Sequence, residues 1–518
     1  MFIYIKRYTY LSLKSELIRL NDSEEGSMDF FERCKEINCL KATMGLLHWD
    51  METHMPENGA PFRAEVMGFL AKLVHQRSVD PDLEKSLNEK MMDQNVSPIE
   101  LKILQKEMFY LKRDKMIPEK LSVDLQMQTS KALSVWSKAK EKNEFARFAP
   151  ELEKIIALTK EQLNLLKPLY PAHFTLYDCA LDYYSPGLNQ EKIDAVFNPL
   201  KIELVNKIVE KSKKYTAFKS ELNPWSVSVE LQKKLIDDFL IWFKFDKKSF
   251  NVSTSAHPFS MGSHPQDVRV TTVFKEHDPL YAIMSTVHEM GHALYSHQLP
   301  EDYLGTSYAS DAKMAIHESQ SRLFEVCIGL SNEFLSWLHR WLKQNIGEDK
   351  FQMKLDELKM RARLVAPSLV RVEADPVTYG MHVLIRYEIE KKLINENLKV
   401  SELPQLWSDL YFEYLGVRPS SDKEGVLQDT HWAGGAIGYF PSYLIGTVLA
   451  CQIHHKLKKE FKDFDQMINE GNMLPIYDYL RKHIHSKGDL ETFDEIVTAA
   501  TGESLTTKYF LDFIDETF

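Results

Sequence analysis

The chain is predicted to be mainly α-helical, one large two-lobed unit with a small antiparallel sheet. Three observations predict this. Apolar residues recur at helical spacing through most of the 518 residues, with few obvious linkers. Helix starts are marked by an acidic N-cap followed by proline at Asp80-Pro81, Asp278-Pro279 and Asp375-Pro376. β-Branched residues in partial alternation are confined to residues 250–275. Composition is that of an ordinary soluble globular chain, 44% hydrophobic and 27% charged. Length alone suggests about three domains, but the scarcity of linkers favours a single unit.

From Met28 to about Gln76 the pattern is helical, broken by a turn at Pro56-Glu57-Asn58-Gly59. His48, Trp49, Asp50 and Glu52 precede that turn; Trp49 reads as a core or groove anchor and the acids as solvated. Several helices follow from Asp80-Pro81 to Lys167, and Pro168 and Pro171 punctuate a connection. A turn at Pro186-Gly187 leads into a long helix from about Gln190 to Lys213. Val252-Ser253-Thr254 and Val268 to Phe274 read as short strands separated by a turn at Met261-Gly262-Ser263. A helix starts at Asp278-Pro279, and Pro300 marks its stop. A second helix is expected from roughly Asp311 to Ile346, and another from Asp375-Pro376 to about Glu396. Residues 416–446, rich in glycine and aromatics, should line a site rather than form a regular element. From His454 the chain returns to amphipathic helices.

The net charge of −11 argues against a nucleic-acid partner but leaves anionic substrates open. Cys34, Cys39, Cys179, Cys327 and Cys451 form no C-x-x-C pair, which suggests reduced thiols in a cytoplasmic protein. Charges interrupt the apolar residues of the N-terminus too early for a signal-peptide core. No uninterrupted apolar run reaches the ~18 residues of a membrane span. Met28 follows the polar tract Asn21–Ser27, so residues 1–27 read as an extension and 28–518 as one domain.

The motif that carries chemistry is His288-Glu289-Met290-Gly291-His292. The helix that opens at Asp278-Pro279 places Leu280, Ile283, Met284, Val287, Gly291 and Leu294 on one stripe. His288 and His292, four apart, lie one turn above the other on an adjacent face. Two imidazoles so placed can each offer a nitrogen to one zinc ion at about 2.0–2.1 Å. Glu289 projects beside them, where it can take a proton from the attacking water. The bland reading is a surface helix with two unrelated histidines.

Catalytic zinc sites usually take three protein ligands. The candidate third is Glu318, in His317-Glu318-Ser319-Gln320 on the next helical segment. Glu318, Arg322 and Glu325 share one helical face, which also fits a surface ion pair. Ile316, Leu323, Phe324 and Val326 surround these acids and point to a buried polar stripe. His317 points elsewhere and reads as a supporting residue.

With those residues in view, the chain resembles the carboxypeptidase Taq family of zinc metallocarboxypeptidases. HEMGHAL at 288–294 and HESQSRLFE at 317–325 carry the likeness, joined by four further motifs. His257-Pro258-Phe259 resembles the family's HPF, and Asp267-Val268-Arg269-Val270-Thr271 its DxRxT. Val370 to Asp375 resembles (I/V)RxxAD, and Gly425 to Trp432 resembles GxxQDxHW. The resemblance implies His288, His292 and Glu318 as metal ligands and Glu289 as general base. It implies a mostly helical molecule split by a deep active-site groove, typically a homodimer. It also implies stepwise release of C-terminal amino acids from peptides with broad specificity, using one zinc per subunit that cobalt sometimes replaces.

Peptide hydrolysis also needs an oxyanion donor and a proton for the leaving amine. His431 is the candidate donor, with a core histidine as its plainer reading. Asp429 is a candidate to orient a ligand histidine. Tyr439 and Tyr443 are candidate phenol donors, equally consistent with core packing. An exopeptidase must meet a free α-carboxylate with a fixed cation, best an arginine. Arg371 is the first candidate and Arg269 the second; His257 belongs to the same candidate substrate-binding set. Each arginine could instead sit in a structural pair, Arg269 with Asp267 or Arg371 with Asp375. Competing functions are an oligoendopeptidase using the same helix and a catalytically silent zinc-binding interaction protein. Intact Glu289 and His431 count against the silent reading. Gly434 to Gly438 lacks the Lys-Ser/Thr of a phosphate loop, which removes a phosphate-binding reading.

Overall fold

The computed structural model describes residues 28–218, 224–311 and 313–518. The expected extension, residues 1–27, lies outside the described residues. Helices dominate, as the periodicity requires. The N-terminal part holds α1 (Phe30–Thr53), α2 (Ala60–Ser78), α3 (Pro81–Met92) and α4 (Pro98–Met116). Then come α5 (Glu119–Lys142), α6 (Phe145–Leu166), α7 (Leu176–Tyr184), α8 (Gln190–Phe218) and α9 (Val229–Trp242). After the sheet follow α10 (Pro279–His297), α11 (Met314–Arg322), α12 (Asn332–Ile346), α13 (Leu355–Ala362) and α14 (Pro376–Asn395). The remainder is α15 (Leu403–Leu415), α16 (Pro441–Glu460), α17 (Phe464–Glu470), α18 (Leu474–His483), α19 (Phe493–Thr501) and α20 (Lys508–Thr517).

Local chemistry sets these boundaries. The Asp80 carboxylate accepts from the Asp82 amide at 2.9 Å, and Asp375 accepts from Val377 and Thr378 at 3.0 Å each. Both therefore cap a helix whose next residue is proline, as the sequence predicts. Asp278 does the same for α10 through the Tyr281 amide.

Two apolar clusters divide the molecule. Phe30, Cys34 and Ile37 of α1 pack with Leu83 and Leu87 of α3 and Leu104 and Leu111 of α4. A much larger cluster joins the helices from α5 onward, with Phe148, Phe239, Val287, Leu384, Leu444 and Phe510 among its members. Between them lies a cavity of about 710 Å³, lined by Phe30, Cys34 and Leu87 on one side and Asp311, Met314 and Tyr439 on the other. Its lining includes Tyr439 but none of His288, Glu289, His292 and Glu318.

Four expectations are corrected here. The sheet is mixed, not antiparallel: β1 (Phe250–Thr254) pairs parallel with β3 (Asp267–Thr272), and β2 (Ser260–His264) pairs antiparallel on the other side of β3. The segment 261–263, expected as a turn, lies inside β2, because the chain crosses to the far edge of β3 before reversing. The helix expected from Asp311 to Ile346 is α11, a π-helical segment Leu323–Ile328, and α12. The break falls after Gly329, where Ser331 caps α12 by accepting from the Phe334 amide at 3.1 Å. The glycine-rich stretch also ends earlier than expected, since α16 already starts at Pro441.

Helix α11 is held tightly between α10 and α16. A Cβ on Gly291 of α10 would lie 2.5 Å from the Gln320 carbonyl oxygen and 2.7 Å from Ser321 Cα. A Cβ on Gly446 of α16 would lie 2.8 Å from Glu318 Cβ and Cγ. No side chain larger than hydrogen fits at either point without moving backbone. Gly291→Ala should therefore cost at least about 1–3 kcal/mol of stability through overpacking. Calorimetry should show a lower melting temperature, and metal titration a weaker site, because the two ligand helices are forced apart.

Candidate metal centre and active site

The described residues contain one group able to hold a metal ion: His288, His292 and Glu318, whose ligand atoms all lie within 4.8 Å of one another. Glu318 Oε2 is 3.4 Å from His292 Nε2 and 3.9 Å from His288 Nε2. The helical stagger supplies the histidine pair, and the close packing of α11 supplies the carboxylate. Two imidazole nitrogens and one carboxylate oxygen suit a divalent ion with coordination positions left open.

The ligands are oriented from behind. His288 Nδ1 is 2.8 Å from Glu325 Oε2, which leaves Nε2 toward the metal position. Arg322 Nη1 donates to the same Glu325 oxygen at 2.7 Å, and Arg322 Nε donates to Thr447 Oγ1 at 3.2 Å. Against the burial that would raise it, Arg322 and His288 hold the Glu325 carboxyl down to about 2. The sequence placed Glu325 on the right face but gave the orienting task to Asp429. Recurrence on the Glu318 face was the available signal for Glu325. His317 supports the site as expected, stacking on His292 at 4.2 Å with Nε2 3.3 Å from Asp311.

Glu289 is 8% exposed, and burial pushes its carboxyl up, opposed by His288. His431 is held neutral: burial first, then the Arg371 charge, lowers it to about 3. Its Nε2 lies 3.0 Å from the Tyr443 hydroxyl, and its Nδ1 is buried with no hydrogen-bond partner among the described residues. The rings of Tyr439 and Tyr443 stand 5.6 and 5.9 Å from His431. The Tyr439 hydroxyl points at the Met314 sulfur, at 3.8 Å, and also interacts with Tyr443.

Arg371 is buried and bonded, but not to Asp375, which is engaged as the α14 cap. Its partner is Asp429, at 2.9 Å from Nη2, and Nη1 donates to the Tyr379 hydroxyl at 3.0 Å. Arg386 Nε donates to the other oxygen of Asp429 at 2.7 Å. Against burial, the two arginines hold Asp429 far below the usual carboxylate range. Tyr379 and Arg386 had no local sequence signal. Arg269 pairs with Asp267, Nε to Oδ1 at 2.9 Å, and stands 5.0 Å over the Trp49 ring. His257 is exposed in the connection between β1 and β2, apart from the metal ligands.

A helix-borne histidine pair, a carboxylate from the next helix and a neighbouring buried glutamate form a group that could hold a divalent metal. The chain belongs to the carboxypeptidase Taq (M32) metallopeptidase family, which it matches over residues 29–518. It is 33% identical over 497 residues to Carboxypeptidase 1 of Bacillus subtilis, covering 95% of this chain and 97% of the relative. It is 33% identical over 511 residues to Thermostable carboxypeptidase 1 of Thermus thermophilus, covering 96% and 98%. The solved carboxypeptidase of Pyrococcus furiosus superposes with a TM-score of 0.87 at 31% identity, over 95% of this chain and 99% of that one. The protein is thus a metallocarboxypeptidase, and the family requires a divalent metal.

The chain of Arg322, Glu325 and His288 predicts a defect in metal affinity without loss of fold. Glu325→Gln should weaken metal binding by about 10–100-fold, as loss of such supporting carboxylates typically does. Competition with a chelator measures it, and an unchanged affinity removes Glu325 from this role.

Proposed function

We propose that the protein is a zinc carboxypeptidase of broad specificity that trims peptides from the C-terminus by Glu289-assisted attack of water. The observation that carries this reading is the convergence of His288, His292 and Glu318 beside a buried Glu289. The donor set of two histidines and one glutamate matches that of catalytic zinc, with cobalt an expected substitute. Bound there, the metal would supply Lewis acidity to the scissile carbonyl and lower the pKa of the attacking water.

The protein's own groups do the rest. Glu289 accepts the proton of the water and passes it toward the leaving amine. His431 is kept neutral, so it donates a hydrogen bond without bringing a full charge. Nε2 pairs with the Tyr443 hydroxyl; were that hydroxyl the donor, the proton on Nδ1 would be the one offered to the developing oxyanion. Tyr439, whose hydroxyl points at the weakly accepting Met314 sulfur, is the second candidate donor.

The exopeptidase character rests on charge. Arg371 and Arg386 share one carboxylate, Asp429, which leaves the two guanidinium groups one direct carboxylate partner short. The ring of Tyr443 is 5.0 Å from the Arg371 guanidinium, so this shortfall lies beside the His431 cluster. A substrate α-carboxylate is the anion that would fill it. Arg269, by contrast, is neutralised locally by Asp267 and stands second. Broad specificity and a homodimer follow the family resemblance, and sedimentation tests the latter. A cytoplasmic location is supported by five free cysteines.

Glu289→Gln should lower turnover by about 10²–10⁴-fold while keeping metal content and melting temperature. A loss below about tenfold would end its assignment as the base. Arg371→Ala should lower kcat/KM at least about tenfold on peptides with a free C-terminus, the scale of a charge-assisted hydrogen bond. Peptides with an amidated end should be poor substrates for the parent and change little in the variant. Were the parent to cut both kinds equally well, the oligoendopeptidase reading would replace this one. The same comparison with Arg269→Ala orders the two arginines.

A further inference from the structure

The segment from His431 to Phe440 carries two proposed donors, yet it is neither helix nor strand. Gly435 and Gly438 sit at φ +78° and +94°, and turns supply its internal backbone bonds. Something outside the segment must hold it. One fully buried carboxylate, Glu390 of α14, reaches both of its halves. Glu390 Oε1 accepts from the Trp432 indole N–H at 2.8 Å. Glu390 Oε2 accepts from the Gly438 amide at 2.9 Å and from the Tyr177 hydroxyl at 2.7 Å. Trp432 adjoins His431 in the chain, and Gly438 adjoins Tyr439. The nearby Arg386 directs its nitrogens to Asp429, Gln428, Tyr411 and the His382 carbonyl instead. Burial pushes this carboxyl up to about 7, opposed by the Tyr177, Trp432 and Gly438 bonds and by the Arg386 charge. A buried acid bonded directly only to neutral donors is a costly way to fill space. Neither the metal centre nor the arginine pair uses it.

We propose that Glu390 is a positioning residue for the reaction: by accepting from Trp432 and Gly438 at once, its carboxylate sets where His431 and Tyr439 stand relative to the metal ligands. The proposal rests on the reading of His431 as a donor to the substrate. An amide in place of the carboxylate presents an N–H₂ to at least one of the two loop donors, because a backbone amide and an indole N–H cannot turn round to accept.

The test uses the metal-loaded enzyme and the variants Trp432→Phe, Glu390→Gln and His431→Ala, with the double variant Trp432→Phe/His431→Ala. Trp432→Phe is the mild change, removing one donor and keeping an aromatic ring. Expected are a fall in kcat of about tenfold or more, the scale of one hydrogen bond to a charged group, a KM within about threefold of the parent and undiminished metal content. In the His431→Ala background, Trp432→Phe should add little further loss, since groups acting as a unit are not additive. Two results overturn the proposal: an unchanged kcat in both folded single variants, or an equal fold-loss from Trp432→Phe with and without His431. If His431→Ala itself keeps parental turnover, the donor reading falls and takes this proposal with it. That outcome is distinguishable, because it appears in the His431 variant alone.

Discussion

The structure depends first on how closely three helices approach one another. Glu318 can join His288 and His292 only because α11 lies against α10 at Gly291 and against α16 at Gly446. A histidine pair four apart is fixed by its own helix, whereas the third ligand has to be delivered by packing. Any side chain at either contact point would press on backbone or on Glu318 itself. The site's geometry is thus stored in the main-chain separation of the helices, which side-chain rearrangement cannot easily relax. Glu325 and Arg322 then add orientation, on a backbone whose π-helical segment ends with the Gly329 amide bonded to the Phe324 carbonyl at 2.7 Å.

Charge is the second organising element. The centre of the molecule contains three buried arginines, Arg322 paired with Glu325 and Arg371 and Arg386 sharing Asp429, with a buried Glu390 and a neutral His431. Replacing such groups with apolar residues would often stabilise a fold. Their presence together beside the aromatic cluster of Tyr379, Tyr439 and Tyr443 is consistent with work done on substrate. The stability given up in one place is offset by the large apolar cluster around it.

Much of this was legible in the sequence, and the legible part has a common property: it is local. The H-E-x-x-H pair, the caps at Asp80, Asp278 and Asp375, and the long helices follow from residues within a turn or two of one another. Glu318 was also within reach, because it sits in the next apolar helical pattern. What stayed hidden depends on contacts between distant parts of the chain. Arg371 finds Asp429 across 58 residues rather than the nearby Asp375, and Arg386 reaches the same aspartate across 43. The parallel pairing of β1 with β3 is equally non-local, and Ser260 to His264 has no strong strand preference to announce β2. Glu390 reads as one more charged residue on a helix; only the folded chain brings Tyr177, Trp432 and Gly438 to it.

The unequal apolar clusters on the two sides of the cavity have a consequence for how the molecule breathes. The smaller cluster draws on α1, α3 and α4, while α2 buries no residue at all and leaves Phe62 and Phe69 exposed. Local opening costs least where the fewest apolar groups are buried. Backbone amides of α1 to α3 should therefore exchange with solvent long before those of α10, α11 and α16, whose buried faces belong to the main core. One side of the cavity is consequently a low-energy cooperative unit and the other is close to the global limit. Wide opening of the cavity and preservation of the metal geometry are then compatible, because they draw on different parts of the free-energy spectrum of the same chain.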